Sequence, residues 1–202
     1  MTSIWADSVA AALDDGLMKL AIAVEACTGA VWEKSMWDVP ARVPAHPLAG
    51  PGGALVTDPA ERLVLVQRFS TPWSVAWHAL EVLDYDLTGD LAPWAGPPAP
   101  FAGHPHWRDF TSLPAAWPQF DVLAYIEHCR QRVRDTFRSL TDERAETPLP
   151  ATHRRAGTPF ARILIGLVAH TNEHAAQIRQ HVNALSPDSR RGGPIEGSGA
   201  SS

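Results

Sequence analysis

The residues best suited to chemistry lie in the run His170-Thr171-Asn172-Glu173-His174. Two histidines four apart on a helix stand one turn apart on one face. At about 100° per residue, Ile163, Leu167, His170, His174, Ile178, His181 and Leu185 fall on one stripe. Arg162, Asn172, Glu173, Arg179 and Gln180 fall on the other side. His170 and His174 thus interrupt an apolar face, where unpaired polar groups are costly. A shared metal ion satisfies both; a neighbouring carbonyl or carboxylate for each imidazole is the plainer alternative. A third histidine tips the balance toward metal. His78 lies in Trp73-Ser74-Val75-Ala76-Trp77-His78-Ala79-Leu80-Glu81-Val82-Leu83-Asp84-Tyr85 and shares a face with Val75, Val82 and Tyr85. One imidazole from an earlier helix and two from the last make a three-nitrogen site. Its remaining coordination positions are open, as in catalytic rather than structural centres.

Other side chains rank below these. Glu81, one turn after His78, is a weak candidate for orienting a ligand or acting as a base; a solvated helix face is the plainer reading. Gln177 is placed to hydrogen-bond a ligand from behind, and Trp73, Trp77 and Tyr85 to wall a pocket. His181 lies two turns beyond His174, about 10 Å along the axis, and reads as a core or rim histidine. His104 and His106 flank Pro105 in a long loop and read as surface residues. Arg130, Arg132, Arg134 and Arg138 alternate with acids and read as a solvated face. His170, Glu173 and His174 also match the inverted zinc-protease pattern His-x-x-Glu-His. Glu173, however, is turned away from the shared face, and the acids that follow lie in the tail.

The elements that must position these groups are legible as helices. Val9, Leu13, Leu17, Leu20, Val24 and Val31 predict a first helix over 3–36. Asp58-Pro59-Ala60-Glu61 and Ser70-Thr71-Pro72 are start signals, so a second helical region over 58–89 breaks near Ser70 and stops at Gly89. A third helix is expected at 118–140, with Val122, Tyr125, Ile126, Cys129, Val133 and Phe137 inward, and a fourth at 158–185 with Pro159 at its first position. Between the second and third lies a Pro- and Trp-rich stretch, 90–117. It is expected to pack over one end of the bundle near the three histidines, because left in solvent it would expose a large apolar patch. Residues 1–186 are read as one all-α domain, a four-helix bundle, and the Gly- and Ser-rich 187–202 as a disordered tail.

Composition narrows the partners. The chain has 202 residues, a formal charge of −5, 45% hydrophobic and 19% charged residues. A mildly acidic chain without a basic block argues against nucleic acid. No apolar run reaches the roughly 18 residues of a membrane span. The N-terminus lacks a basic, signal-like region. Cys27 and Cys129 show no Cys-x-x-Cys spacing and are read as buried thiols of a cytoplasmic protein.

The order and context of the histidines resemble the DinB/YfiT-like metalloprotein superfamily. The matching segments are Trp77-His78-Ala79-Leu80 followed by Asp84-Tyr85, then Ala169-His170-Thr171-Asn172-Glu173-His174-Ala175-Ala176-Gln177-Ile178. The third-helix stretch Leu123-Ala124-Tyr125-Ile126-Glu127-His128-Cys129-Arg130 is similar too. The likeness spans residues 5–186 in helix order; the helical piece at 58–69 and the loop 90–117 depart from it. The resemblance implies a four-helix bundle holding a divalent ion, zinc or nickel, on His78, His170 and His174. It implies action on a small molecule, either transfer of a low-molecular-weight thiol or metal-dependent hydrolysis, and a homodimer. Two other classes stay open: a non-catalytic metal-binding stress-response bundle, and a metal-free helical interaction module in which the three histidines diverge.

Overall fold

A computed structural model describes residues 4–37, 56–89, 94–102 and 115–186. The described residues form seven helices: α1 (Ile4–Glu25), α2 (Gly29–Trp32), α3 (Pro59–Phe69), α4 (Pro72–Leu87), α5 (Gln119–Arg138), α6 (Asp142–Glu146) and α7 (Phe160–Leu185). No strand occurs among them; one isolated bridge pairs Pro148 with Pro159. The described residues are all-helical in their regular structure, as the periodicity predicts. No described helix is long and apolar enough to cross a membrane.

Helix ends follow local chemistry. The Asp58 carboxylate accepts from the Glu61 amide at 2.8 Å, capping α3 behind Pro59. After Phe69 the chain turns through Ser70 and Thr71, and Pro72 opens α4. Gly89 takes φ 58°, and a Cβ there would lie 3.1 Å from Phe160, so glycine serves both the turn and the packing.

The expected first helix, 3–36, is too long. It stops at Glu25, and α2 restarts after Thr28, whose backbone is extended. The side chain of Gln119, distant in sequence, ends α1 by donating to the carbonyls of Val24 (2.8 Å) and Cys27 (2.6 Å). Such end carbonyls need partners. The expected loop before the last helix contains α6, whose cap is Thr141 accepting from the Arg144 amide. Pro159 is the cap of α7 rather than its first residue.

The long helices α1, α4, α5 and α7 pack on one another: α1 against α5 and α7, α4 against α5 and α7. Leu13, Leu17, Leu20, Leu80, Leu83, Val122, Leu164 and Ile178 fill the space between them and are essentially inaccessible. Helices α1 and α7 touch closely where Gly16 faces Thr171 and Asn172; a Cβ on Gly16 would stand 3.0 Å from Asn172 Nδ2. Cys27 and Cys129 are free and buried, and burial raises both thiol pKa values, Cys27 to about 11.

Helix α4 is the most enclosed. Every residue in it is buried except His78 and Tyr85, and the buried set includes Glu81, Asp84 and Asp86. Glu81 is fully buried, which corrects the solvated-face expectation. Flanking helices and the loop after it cover α4 on nearly all sides, so its polar positions have no solvent to face.

The part of the 90–117 stretch that is described packs inward. Phe101 is 1% exposed and stacks on Trp77 and Tyr125, with ring centroids 6.0 and 4.9 Å away. Trp94 Nε1 donates to Asp84 Oδ2 at 3.2 Å. His104, His106 and the tail 187–202 lie outside the described residues.

Candidate metal centre

Two helices bring three imidazoles together. His78 projects from α4, His170 and His174 from α7. One donor atom from each lies within 4.8 Å of the others, and all three residues are half-buried. Ring centroids are 5.4 Å apart for His78 and His170, 5.3 Å for His78 and His174, and 4.5 Å for His170 and His174. The Nε2 atoms of His170 and His174 are 3.1 Å apart. Two ligands at about 2.0–2.1 Å from one ion sit about 3.4 Å apart in a tetrahedron, so this pair is already spaced for coordination.

The histidines flank the most buried stripe of α7 rather than interrupting its centre. That centre runs through Phe160, Leu164, Leu167, Thr171, Ala175 and Ile178. The difference from the helix-wheel expectation arises because α7 is gripped by both α1 and α4. The small residues Thr171 and Ala175 take the tightest part of the interface, and the imidazoles fall at its edge.

Proton positions follow from the hydrogen bonds. Gln177 Nε2 points toward Glu173 Oε1 at 3.4 Å, which directs Gln177 Oε1 to His174 Nδ1 at 2.9 Å. A carboxylate takes the amide NH2, so the carbonyl oxygen faces the ring. His174 therefore donates from Nδ1 and presents a lone pair at Nε2. Without a metal, His170 Nε2–H donates to that lone pair, leaving His170 Nδ1 bare. Among the described residues that buried atom has no hydrogen-bond partner, an uncommon cost in a folded core. Coordination through Nε2 would put the ring's proton on Nδ1, which needs an acceptor in its turn.

Electrostatics favour the neutral ligand form. Burial is the main cause that holds His170 down to about 3, followed by the neighbouring His174 and His78 and then by Arg154 and Arg155. Burial also lowers His174, against the opposing pull of Gln177 and Glu173. Neutral imidazole is the form that binds a metal ion.

The remaining expected site residues are placed elsewhere. Trp73 and Trp77 are 3% and 0% exposed and stack on one another inside the core. Tyr85 stacks on His153 at 4.6 Å, and its hydroxyl accepts the Arg154 amide. None of the three borders the cavity beside His170. Burial raises the Tyr125 phenol, helped by Cys129 and Asp84 and, after them, by Glu81. His181 is half-buried, its pKa lowered by burial, and is not part of the histidine cluster. Arg132 is not simply solvated, since its Nε donates to the buried Asp84 at 3.0 Å. Arg130 forms a two-pronged pair with Asp14.

A cavity of about 420 Å³ opens beside His170, bordered by Asp86, Arg155, Thr158, Arg162 and Gly166. The helix wheel set Arg162 on the side away from the histidines; the structure puts both on one cavity wall. Eight residues turn a helix through about 80° net, which leaves the two side chains in adjoining sectors. The signal for Asp86 and its arginines was present in the sequence. Three acids on a largely apolar helix, Glu81, Asp84 and Asp86, call for partners if buried, and charged ones for cationic partners.

No protein-family model, curated protein or solved structure matches this chain.

Proposed function

We propose that the protein is a DinB/YfiT-like four-helix-bundle metalloenzyme, with a divalent ion, zinc or nickel, held by His78, His170 and His174. In this reading it transfers a low-molecular-weight thiol or hydrolyses a small molecule. The observation that carries it is the convergence of three half-buried imidazoles from two helices, with donor atoms within 4.8 Å. Bound there, such an ion would supply Lewis acidity, lowering the pKa of a thiol or water at neutral pH. The residues of the chain do the rest. Gln177 fixes the His174 tautomer, burial keeps His170 and His174 unprotonated, and the adjoining cavity gives a substrate room. Among the described residues no fourth His, Cys, Asp or Glu joins the cluster. That supports an open, catalytic arrangement over a filled, non-catalytic one.

The test is metal analysis of the purified full chain, with zinc and nickel titrations, beside His78→Ala, His170→Ala and His174→Ala. One ion per chain is expected, with affinity reduced at least a hundredfold in each variant and helical circular dichroism retained. A wild-type chain that takes up neither metal would end the proposal. Metal-loaded protein would then be assayed with thiols and electrophilic acceptors, and separately with ester and amide substrates, to choose between the two reaction types.

A further inference from the structure

The cavity beside His170 concentrates positive charge in a chain whose net charge is −5. The acidic residue on its wall among the described residues, Asp86, is 1% exposed and already engaged. Arg154 donates to its two carboxylate oxygens from Nε (3.1 Å) and Nη2 (2.7 Å), and His153 Nε2 stands 3.7 Å away. Arg155 approaches the same carboxylate only to 3.6 Å and is half exposed, too long for a hydrogen bond. Arg162 is exposed and forms no ion pair among the described residues. With Arg154 paired to Asp86, the guanidiniums of Arg155 and Arg162 are in surplus among the described residues of the cavity wall.

The cavity also has the right continuity. Arg162, Gly166, His170 and His174 follow one another at four-residue steps along α7, each step about 6 Å. Gly166 leaves the stretch between guanidinium and imidazole bare; a Cβ placed there would meet nothing within 4 Å. The volume lies at the small end of the range for ligand pockets. Guanidinium forks match carboxylate and phosphate oxygens.

We infer that this cavity is the substrate-anchoring half of the site. A small anionic substrate places a carboxylate or phosphate on Arg155 and Arg162, beside the Thr158 hydroxyl, and extends its reacting end past Gly166 to His78, His170 and His174. The inference rests on the metalloenzyme reading for the reacting end, but the anion contact stands on the arginines alone.

Two measurements on the full chain separate the claims. Zinc uptake tests the centre. Anion binding is followed in metal-free protein by NMR of the Arg155 and Arg162 side-chain Nε–H signals, with succinate, methyl phosphate and neutral succinamide as probes. Succinate or methyl phosphate is expected to shift these signals saturably, with succinamide at least tenfold weaker. In Arg155→Gln/Arg162→Gln, binding of the anion, read from the His170 ring signals, should fall at least tenfold. Gly166→Leu, which fills the cavity where the helix has room for a side chain, should do the same with both arginines intact. Saturation by succinate alone assigns a carboxylate, and by methyl phosphate alone a phosphate. The inference is overturned if neither anion saturates, if succinamide binds as well as succinate, or if both variants bind like the wild type. A protein that binds the anion yet takes up no zinc upholds the anion contact and removes the metal reading.

Discussion

His174 has its second ring nitrogen held, by Gln177 at 2.9 Å, with Glu173 behind the amide. Partners of this kind orient a ligand and raise its basicity, and their loss typically costs 10–100-fold in metal affinity. Gln177→Leu is therefore expected to weaken zinc binding by about that factor, measured by competition with a chelator. The melting temperature of the metal-free chain should barely change, because Gln177 sits at the edge of the core. His153 allows a second prediction, away from the metal ligands. It is 8% exposed, and burial lowers its pKa below 6.5 despite the opposing pull of Asp86. The unfolded chain then binds a proton at a higher pH than the folded one. The stability that neutral His153 permits is complete above about pH 6.5 and is lost as pH falls through the folded value. Each such group changes the slope of stability against pH by at most about 1.4 kcal/mol per pH unit. Urea titrations between pH 7.5 and 5 should show a shallower decline for His153→Gln than for the wild type. Equal slopes would contradict the assignment.

At the scale of elements, α4 organises the molecule through its buried acids. Asp84 ties it to α5 and to the long loop. Its carboxylate accepts from Arg132 Nε (3.0 Å), Trp94 Nε1 (3.2 Å) and the Tyr125 hydroxyl (3.4 Å). Asp86 ties α4 to the segment before α7 through Arg154. Removing the Asp84 carboxylate leaves three donors without their acceptor, two of them on largely buried rings. Bonds to charged groups are worth about 1.5–3 kcal/mol, and an orphaned buried donor costs more. Arg132 is 37% exposed and recovers water, so Asp84→Ala is expected to lose about 2–3 kcal/mol in chemical denaturation. A loss below about 0.5 kcal/mol would mean that the network contributes little.

For the whole molecule, a ligand that binds only the folded chain stabilises it by mass action, about 2.7 kcal/mol at a hundred times its dissociation constant. A domain of this size shifts its melting temperature by roughly 2–4 °C per kcal/mol. Zinc at that excess should raise the melting temperature by about 5–10 °C, and the rise should vanish in His170→Ala. Scanning calorimetry with and without zinc measures both. An equal rise in the variant would place the metal elsewhere on the protein.

The helices and the pairing of His170 with His174 were legible in the chain because both depend on short-range spacing. Period and start signals locate α3, α4, α5 and α7, and His-x-x-x-His sets two imidazoles on one face whatever surrounds them. The end of α1 at Glu25 was not legible, because the group that accepts the job of capping it, Gln119, arrives from another helix. Nor was the burial of Glu81, since a carboxylate one turn from His78 is solvated or enclosed according to what packs over it. The approach of His78 to His170 and His174 stayed an expectation until α4 and α7 were seen side by side. The pairing of Asp86 with Arg154, and the common wall shared by Arg162 and His170, are likewise products of packing. Local spacing decides which way a side chain leaves its helix; only the docking of helices decides what it meets, because that depends on the interlocking of surfaces far apart in sequence.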